Sequence, residues 1–159
     1  MAKVYLMCGK LCSGKSTHAA ALRRSEHAVV LSVDEIPLAL FGQGAGDMHD
    51  TYVARAETYL YRKSAEIIEA GIDVILDWGF WTRRERDEAR AYYGGLGIPC
   101  EFHYIDIGDD EWHRRLNRRN EDVLAGRTEA YYVDDGLAAK FASIFEKPDP
   151  GEIAVWITA

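Results

Sequence analysis

The residues with the clearest chemical purpose lie near the start of the chain, where Gly9-Lys10-Leu11-Cys12-Ser13-Gly14-Lys15-Ser16-Thr17 satisfies the pattern G-x4-G-K-[ST]. Glycines at Gly9 and Gly14 allow backbone angles barred to other residues, so successive N–H groups can turn inward around phosphate oxygens. Lys15 has the position that reaches β and γ phosphates, and the Ser16 hydroxyl suits a magnesium ligand. A chance match in a glycine-bearing turn is the plain alternative. Against it, the stretch follows a strand-like segment and opens a helix-like one, the context this chemistry requires.

Two carboxylates close later apolar runs. Asp34 ends SVD, where it could orient an attacking hydroxyl or accept its proton; it could equally cap a helix or turn before Ile36 and Pro37. Asp77 ends VILD, where it could hold Mg2+ directly or through water, or could be a solvated strand end. Glu35 has the weaker claim of the adjacent pair. Aromatic residues Trp78, Phe80 and Trp81 follow Asp77 and suit a substrate pocket or simple packing equally well.

The segment 112–120, WHRRLNRRN, holds four arginines. Arg114/Arg118 and Arg115/Arg119 are like-charge pairs four apart, each costing a few tenths of a kcal/mol on a helix unless an anion or acid neutralises it. One reading is a lid over about 109–133 that closes on a nucleotide, with guanidinium groups of this run stabilising a transferred phosphoryl group. The other is a solvated helix neutralised by its own flanking acids. Arg83, Arg84 and Arg86 read as a surface helix that could also touch an acceptor.

These groups need a frame. Segments 3–8, 28–33, 72–76, 100–107 and 154–158 are short and rich in Val, Ile and aromatics, and read as strands. Segments 15–24, 50–70, 82–93, 109–124 and 134–146 have helical character. On the second of these, Val53, Ala56, Leu60, Ile67 and Ile68 fall on one stripe; on the last, Leu137, Phe141, Ile144 and Phe145 do so before Pro148 and Pro150 stop it. Strands alternating with helices imply crossovers, hence an α/β fold in three layers with a mainly parallel sheet and helices on both faces. Ligands of such sheets bind beyond the carboxyl ends of the strands, where Gly9, Asp34 and Asp77 all fall. The glycine-rich GQGAGD at 42–47 follows no strand and reads as a mobile loop rather than a second phosphate site.

Composition sets outer limits. The 159 residues are 48% hydrophobic and 28% charged, consistent with one domain over 1–159. Lys and Arg number 19 against 26 Asp and Glu, a formal charge of -7, which argues against broad nonspecific binding of nucleic acid. No apolar run is long enough to span a membrane, and the first residues lack a basic region followed by a long apolar one, so a cytoplasmic location is expected. Cys8, Cys12 and Cys100 have neither disulfide-framework nor zinc spacing.

With CGKLCSGKST, SVD, VILDWGFWTRRERDEAR and RLNRRN in hand, the sequence resembles the small P-loop kinases, a group that includes polynucleotide 5'-kinases, chloramphenicol phosphotransferase, gluconate kinases and zeta toxins. FEKPDPGE, residues 145–152, also resembles a bacterial ATP-binding branch of that group. The resemblance implies a P-loop NTPase fold, a five-stranded parallel sheet in the order 2-3-1-4-5 with a small helical lid, and transfer of the ATP γ-phosphate to a hydroxyl. It implies ATP and Mg2+ as cofactors, with Lys15 and Ser16 at the nucleotide and magnesium positions and Asp34 as the acceptor-activating aspartate. Asp77 matches the acidic end of the third strand, and Arg115 and Arg119 match the lid arginines. Lys10 and Leu11 depart from the proline or glycine common in this loop. The arginine that polynucleotide kinases carry after the second-strand aspartate has no equivalent in DEIPLAL, which favours a small-molecule acceptor over a nucleic-acid end. A nucleotide-dependent switch acting on a protein partner and a polynucleotide 5'-hydroxyl kinase are the competing expectations.

Overall fold

Alternating burial along a single strand builds the molecule's two apolar faces. In the computed structural model, which describes residues 1–159, β1 (Val4–Cys8) is buried along its whole length. Val4, Leu6 and Cys8 join one core and Tyr5 and Met7 another, as the two-residue period of a strand requires. β2 (Val29–Leu31), β3 (Val74–Leu76), β4 (Cys100–Asp106) and β5 (Val155–Thr158) complete a sheet in the order β2-β3-β1-β4-β5. Every pairing is parallel. This is the P-loop NTPase-like arrangement that the resemblance implied.

Parallel strands force crossovers, and helices supply them. α1 (Lys15–Glu26) lies on one face, where Ala19 and the partly buried Leu22 pack on Tyr5, Met7, Ala28 and Ile75. On the other face the larger core joins α3 (His49–Glu69) through Ala56, Leu60 and Ile68, and α4 (Arg83–Gly95) through Ala89 and Tyr93. α5 (Asp109–Leu124) and α6 (Asp135–Ile144) share a third cluster of Ile107, Trp112, Leu116, Val133 and Ala138.

Three details differ from the expectations drawn from the sequence. A helix absent from them, α2 (Glu35–Phe41), follows Asp34 directly, carrying Pro37 buried within its first turn. On α6 the buried residue is Ala138, flanked by the half-buried Leu137 and Phe141, while Ile144 is exposed. The helix ends at Ile144 and Phe145 is extended, so the chain leaves α6 before either proline acts. Segment 42–47 is a run of turns leading into a short 3-10 turn, Gly46–Met48, rather than an open loop.

Arg86 is the strongest correction. It was expected on a surface helix, yet its side chain is 1% exposed and its Nε donates to Glu152 Oε1 at 2.9 Å, with Glu152 6% exposed. Its Nη1 donates to the Phe80 carbonyl at 2.9 Å. Burial acts to raise the Glu152 pKa, but hydrogen bonds from Arg86 and from the Asp149 amide outweigh it and hold the carboxyl down at about 2. Arg83 and Arg84 do lie on the surface, paired with Asp87 and Glu88.

On the opposite face His18 and His103 share a hydrogen bond of 2.9 Å between ring nitrogens. Burial, then the neighbouring His18, pushes His103 down to about 4, so the pair packs uncharged at neutral pH. All three cysteines are free thiols, and no helix is long and apolar enough to cross a membrane.

Candidate active site

The loop between β1 and α1 is shaped by backbone angles that only certain residues tolerate. Gly9 has φ 149° and Gly14 φ 108°, and a Cβ added at Gly9 would lie 2.9 Å from the Ile105 carbonyl oxygen. Cys12 accepts φ 60°, a left-handed angle costly for a residue with a Cβ. Gly14 stands at the helix N-cap position and no side chain caps α1. Its first N–H groups are therefore open to an anion, with the helix dipole behind them.

Two indoles hold the loop from outside. Trp81 Nε1 donates to the Gly9 carbonyl at 3.1 Å, and Trp112 Nε1 donates to the Leu11 carbonyl at 2.6 Å. The Gly9 and Ser13 amides are taken by the Gly79 and Lys10 carbonyls, which leaves the amides at the start of α1 for a phosphate. The sequence reading passed over Trp112 in favour of its arginine neighbours. The signal was the i, i+4 pair Trp112 and Leu116, a buried face whose indole N–H must find an acceptor. Replacing Trp112 by phenylalanine keeps the ring and loses the donor. We expect nucleotide affinity to weaken about fivefold, the worth of one net hydrogen bond, measured by calorimetry.

One cleft of about 540 Å³ gathers most of the predicted residues. Leu11, Cys12, Gly14, Lys15, Ser16 and Thr17 form its floor. Asp34, Asp77, Arg115 and Arg119 line its walls. Three loop residues do not line it. Gly9 sits beneath, and Ser13 is wholly buried with its Oγ unpartnered. The Lys10 side chain turns away to Asp109 at 3.1 Å and lies over the Trp112 ring.

Lys15 Nζ donates to the Lys10 carbonyl at 2.6 Å, and burial lowers its pKa, opposed chiefly by Asp77. Ser16 Oγ donates to Asp77 Oδ2 at 2.9 Å, placing a hydroxyl beside a carboxylate at the end of β3. Asp34 occupies the N-cap position of α2 but makes no capping hydrogen bond, which removes the simplest structural reason for a carboxylate there. Its outer edge is open to solvent, yet the surrounding walls raise its pKa; Arg119, then His49 and Lys15, pull against that rise and Asp77 adds to it. Glu57 of α3 is pushed up to about 7 by burial first and then by Glu85, Asp34 and Glu88.

The four arginines of α5 divide between both readings of that helix. Arg114 and Arg118 are exposed, and Arg114 pairs with Glu111. Arg115 also pairs with Glu111, but its Nη1 reaches the Ser13 carbonyl at 3.1 Å, and Arg119 Nη1 lies 3.5 Å from Cys12 Sγ. Arg127 is paired with Asp122 at 2.7 Å. The Trp78-to-Trp81 run serves two ends. Trp78 lines the cleft while Phe80 and Trp81 hold the turn and the loop in place.

The segment after α5, inside the stretch expected as a lid, lines the cleft with Thr128, Glu129, Ala130 and Tyr131. Asn120 brackets Val133 with two hydrogen bonds, of 2.5 and 2.9 Å, and Gln43 Nε2 donates to the Ala130 carbonyl at 2.6 Å. The segment is thus tied to α5 on one side and to the turn after α2 on the other.

The donor set suits particular guests. The uncapped N-terminal end of α1, at the floor of the cleft, fits a polyphosphate. Ser16 and Asp77 fit Mg2+, which keeps most of its waters and needs only one or two carboxylates. No group of three or more His, Cys, Asp or Glu side chains is arranged to hold a metal ion by itself.

Similarity to known proteins agrees with this geometry. No curated protein sequence matches the chain. Among solved structures, a sugar kinase from Janibacter sp. HTCC2649 superposes with a TM-score of 0.70 at 16% identity, covering 99% of this chain and 86% of that one. The Mycobacterium tuberculosis APS kinase CysC, in complex with AMPPNP and APS, superposes at 0.70 with 20% identity, covering 99% and 88%. The Pnkp1/Rnl/Hen1 RNA repair complex contains a chain similar at 0.72 with 22% identity, covering 89% of this chain and 43% of that one. At such identities the likeness establishes the fold. A family profile with the description AAA domain matches residues 4–140, from β1 through the glycine loop and both strand-end carboxylates into α6. The chain belongs to that AAA domain family, in the P-loop form its first loop displays.

Proposed function

We propose that the protein transfers the γ-phosphoryl group of ATP to a hydroxyl of a small-molecule acceptor. The observation that carries this reading is Asp34: an uncapped, unpaired carboxylate lining the same cleft as Lys15, the Ser16–Asp77 pair, Arg115 and Arg119.

The amides of the loop hold the phosphates, and Lys15 balances charge on the β and γ oxygens. Ser16 and Asp77 would hold Mg2+, which supplies further neutralisation of those oxygens when bound. Asp34 orients the acceptor hydroxyl and takes its proton as the new O–P bond forms; the bond between the γ-phosphorus and the bridging oxygen breaks, and ADP leaves with the electron pair. The environment raises the Asp34 pKa, which makes it a better proton acceptor, and activity must fall as acid protonates it. Arg115 and Arg119 offset charge on the phosphoryl group in flight, and the 109–133 segment acts as the lid that excludes water.

The test is to incubate the protein with γ-labelled ATP, Mg2+ and a small-metabolite extract. Transfer of label to an acceptor is expected, and Asp34→Asn should reduce it by about a hundredfold, the scale of a general base, with a smaller change in ATP affinity. If no acceptor gains label while wild type and Asp34→Asn hydrolyse ATP equally, the kinase reading fails.

A further inference from the structure

The one long side chain of the glycine-rich turn GQGAGD joins two walls of the cleft. Gln43 comes directly after Gly42, the C-cap of α2, which takes φ 58° with open space around it. Its Nε2 donates to the Ala130 carbonyl at 2.6 Å, a bond between residues 87 positions apart. Ala130 belongs to the 128–131 stretch that lines the cleft. At the other end of α2, Asp34 stands at the N-cap position. Seven helical residues, about 10 Å at 1.5 Å per residue, therefore link the carboxylate assigned to the acceptor with the side chain that holds this stretch in place.

The hold is close to balance. His49 adds a contact on the same side, its ring edge-on to Tyr131 with centroids 5.0 Å apart. Against these stands the Tyr131 hydroxyl, shut from solvent without a hydrogen-bond partner. Leaving a buried polar group unpaired costs at least as much as one net hydrogen bond returns, and the bond from Gln43 is exposed. A segment held so narrowly opens at this end when one contact is lost. Its other end stays tied by the two hydrogen bonds between Asn120 and Val133.

We propose that Gln43 is a positioning residue of the phosphotransferase: its carboxamide latches the 128–133 segment to the helix that Asp34 begins, so that the γ-phosphoryl group passes to the acceptor with water kept out. The inference rests on the phosphotransferase reading and gives it a residue that does not itself line the cleft. Once the segment is unlatched, water competes with the acceptor. Its oxygen bonds to the γ-phosphorus, its proton passes to Asp34, and ADP leaves with the electron pair, so phosphate is released instead of transferred.

Two readouts test it. In the free protein, chymotrypsin cleavage after Tyr131 and Tyr132 is followed by mass spectrometry, with cleavage at the exposed Tyr59 of α3 as the reference for general unfolding. Gln43→Glu keeps the shape but presents a carboxylate that cannot donate, and should raise cleavage in the segment about fivefold, the worth of one net hydrogen bond, without raising it at Tyr59. Gln43→Lys restores a donor and should bring cleavage back towards wild type. In turnover with γ-labelled ATP, Mg2+ and a small-metabolite extract, Gln43→Glu should raise the ratio of released phosphate to labelled acceptor by about the same factor, and Gln43→Lys should lower it again. A merely structural loss would lower hydrolysis and transfer alike and leave the ratio where it was. Cleavage unmoved by Gln43→Glu overturns the latch, and a ratio unmoved while cleavage rises overturns its part in the reaction; both leave the phosphotransferase reading intact. If wild type labels no acceptor, that reading fails and the role of Gln43 goes with it.

Discussion

Lys15→Ala is expected to lower turnover by at least about a hundredfold while the protein stays folded. The ammonium lies at the cleft wall with one hydrogen bond, to the Lys10 carbonyl, and no ion pair, so its removal leaves no buried partner charge behind. Its electrostatic role is another matter. Lys15 is half-buried, and that burial, which lowers its pKa, also strengthens its pull on any phosphate brought there. The measurement is single-turnover transfer from labelled ATP alongside a thermal melt. An unchanged melt with lost turnover is the expected outcome; unchanged turnover would remove the glycine loop from the mechanism.

The largest expected loss of stability lies elsewhere, at Arg86→Met. Removing one partner of a buried ion pair leaves the other charge without compensation, which costs about 3 to 5 kcal/mol. The lower end is expected here, because Arg90 also donates to Glu152 Oε1 at 3.1 Å and Arg83 stands 3.5 Å from it. A loss of about 3 kcal/mol corresponds to a fall in Tm of roughly 6–12 °C for a chain of this size. Adding Glu152→Gln to Arg86→Met should restore part of the loss, because the penalty comes from a buried carboxylate left with only its more exposed partners, Arg83 and Arg90. The folded-state pKa of Glu152 is depressed to about 2 against an ordinary 4.5. Its contribution is therefore complete above about pH 4.5 and is lost as the pH falls from there towards 2. Urea melts across that window should show wild type losing stability more steeply than the double variant.

This pair also bears on the site. Arg86 grips the carbonyl of Phe80, a residue at φ 47°, in the turn that follows Asp77 and accepts the Gly9 amide at the Gly79 carbonyl, 3.1 Å away. A destabilised Arg86 variant should therefore loosen the loop and the strand-end carboxylate together, although it touches neither.

Much of this frame was legible before any coordinates. Strands β1 and β4 announce themselves by apolar and aromatic runs, and α3 by a stripe at helical spacing, because burial imposes those periods locally. α2 was missed because Pro37, normally a breaker, sits within its first turn, where the missing N–H costs nothing. Arg86 was misplaced because a run of arginines reads as surface. Its spacing to Ala89 and Tyr93 put it on the buried face, but its partner Glu152 lies 66 residues on, beyond the reach of any local pattern.

The sequence alone determined the phosphate loop, its strand-before and helix-after setting, and the carboxylates at Asp34 and Asp77, since these follow from local backbone chemistry and the rule that parallel strands end at one edge. Only the tertiary structure decided that Trp81 and Trp112 brace that loop and that Asn120 and Gln43 tie down the 128–133 segment; it also lines the cleft with Arg115 and Arg119, the pair the resemblance implied, and leaves Arg114 and Arg118 exposed. Such contacts join residues as much as 107 positions apart. They depend on how elements pack, and no spacing along the chain encodes which faces will meet.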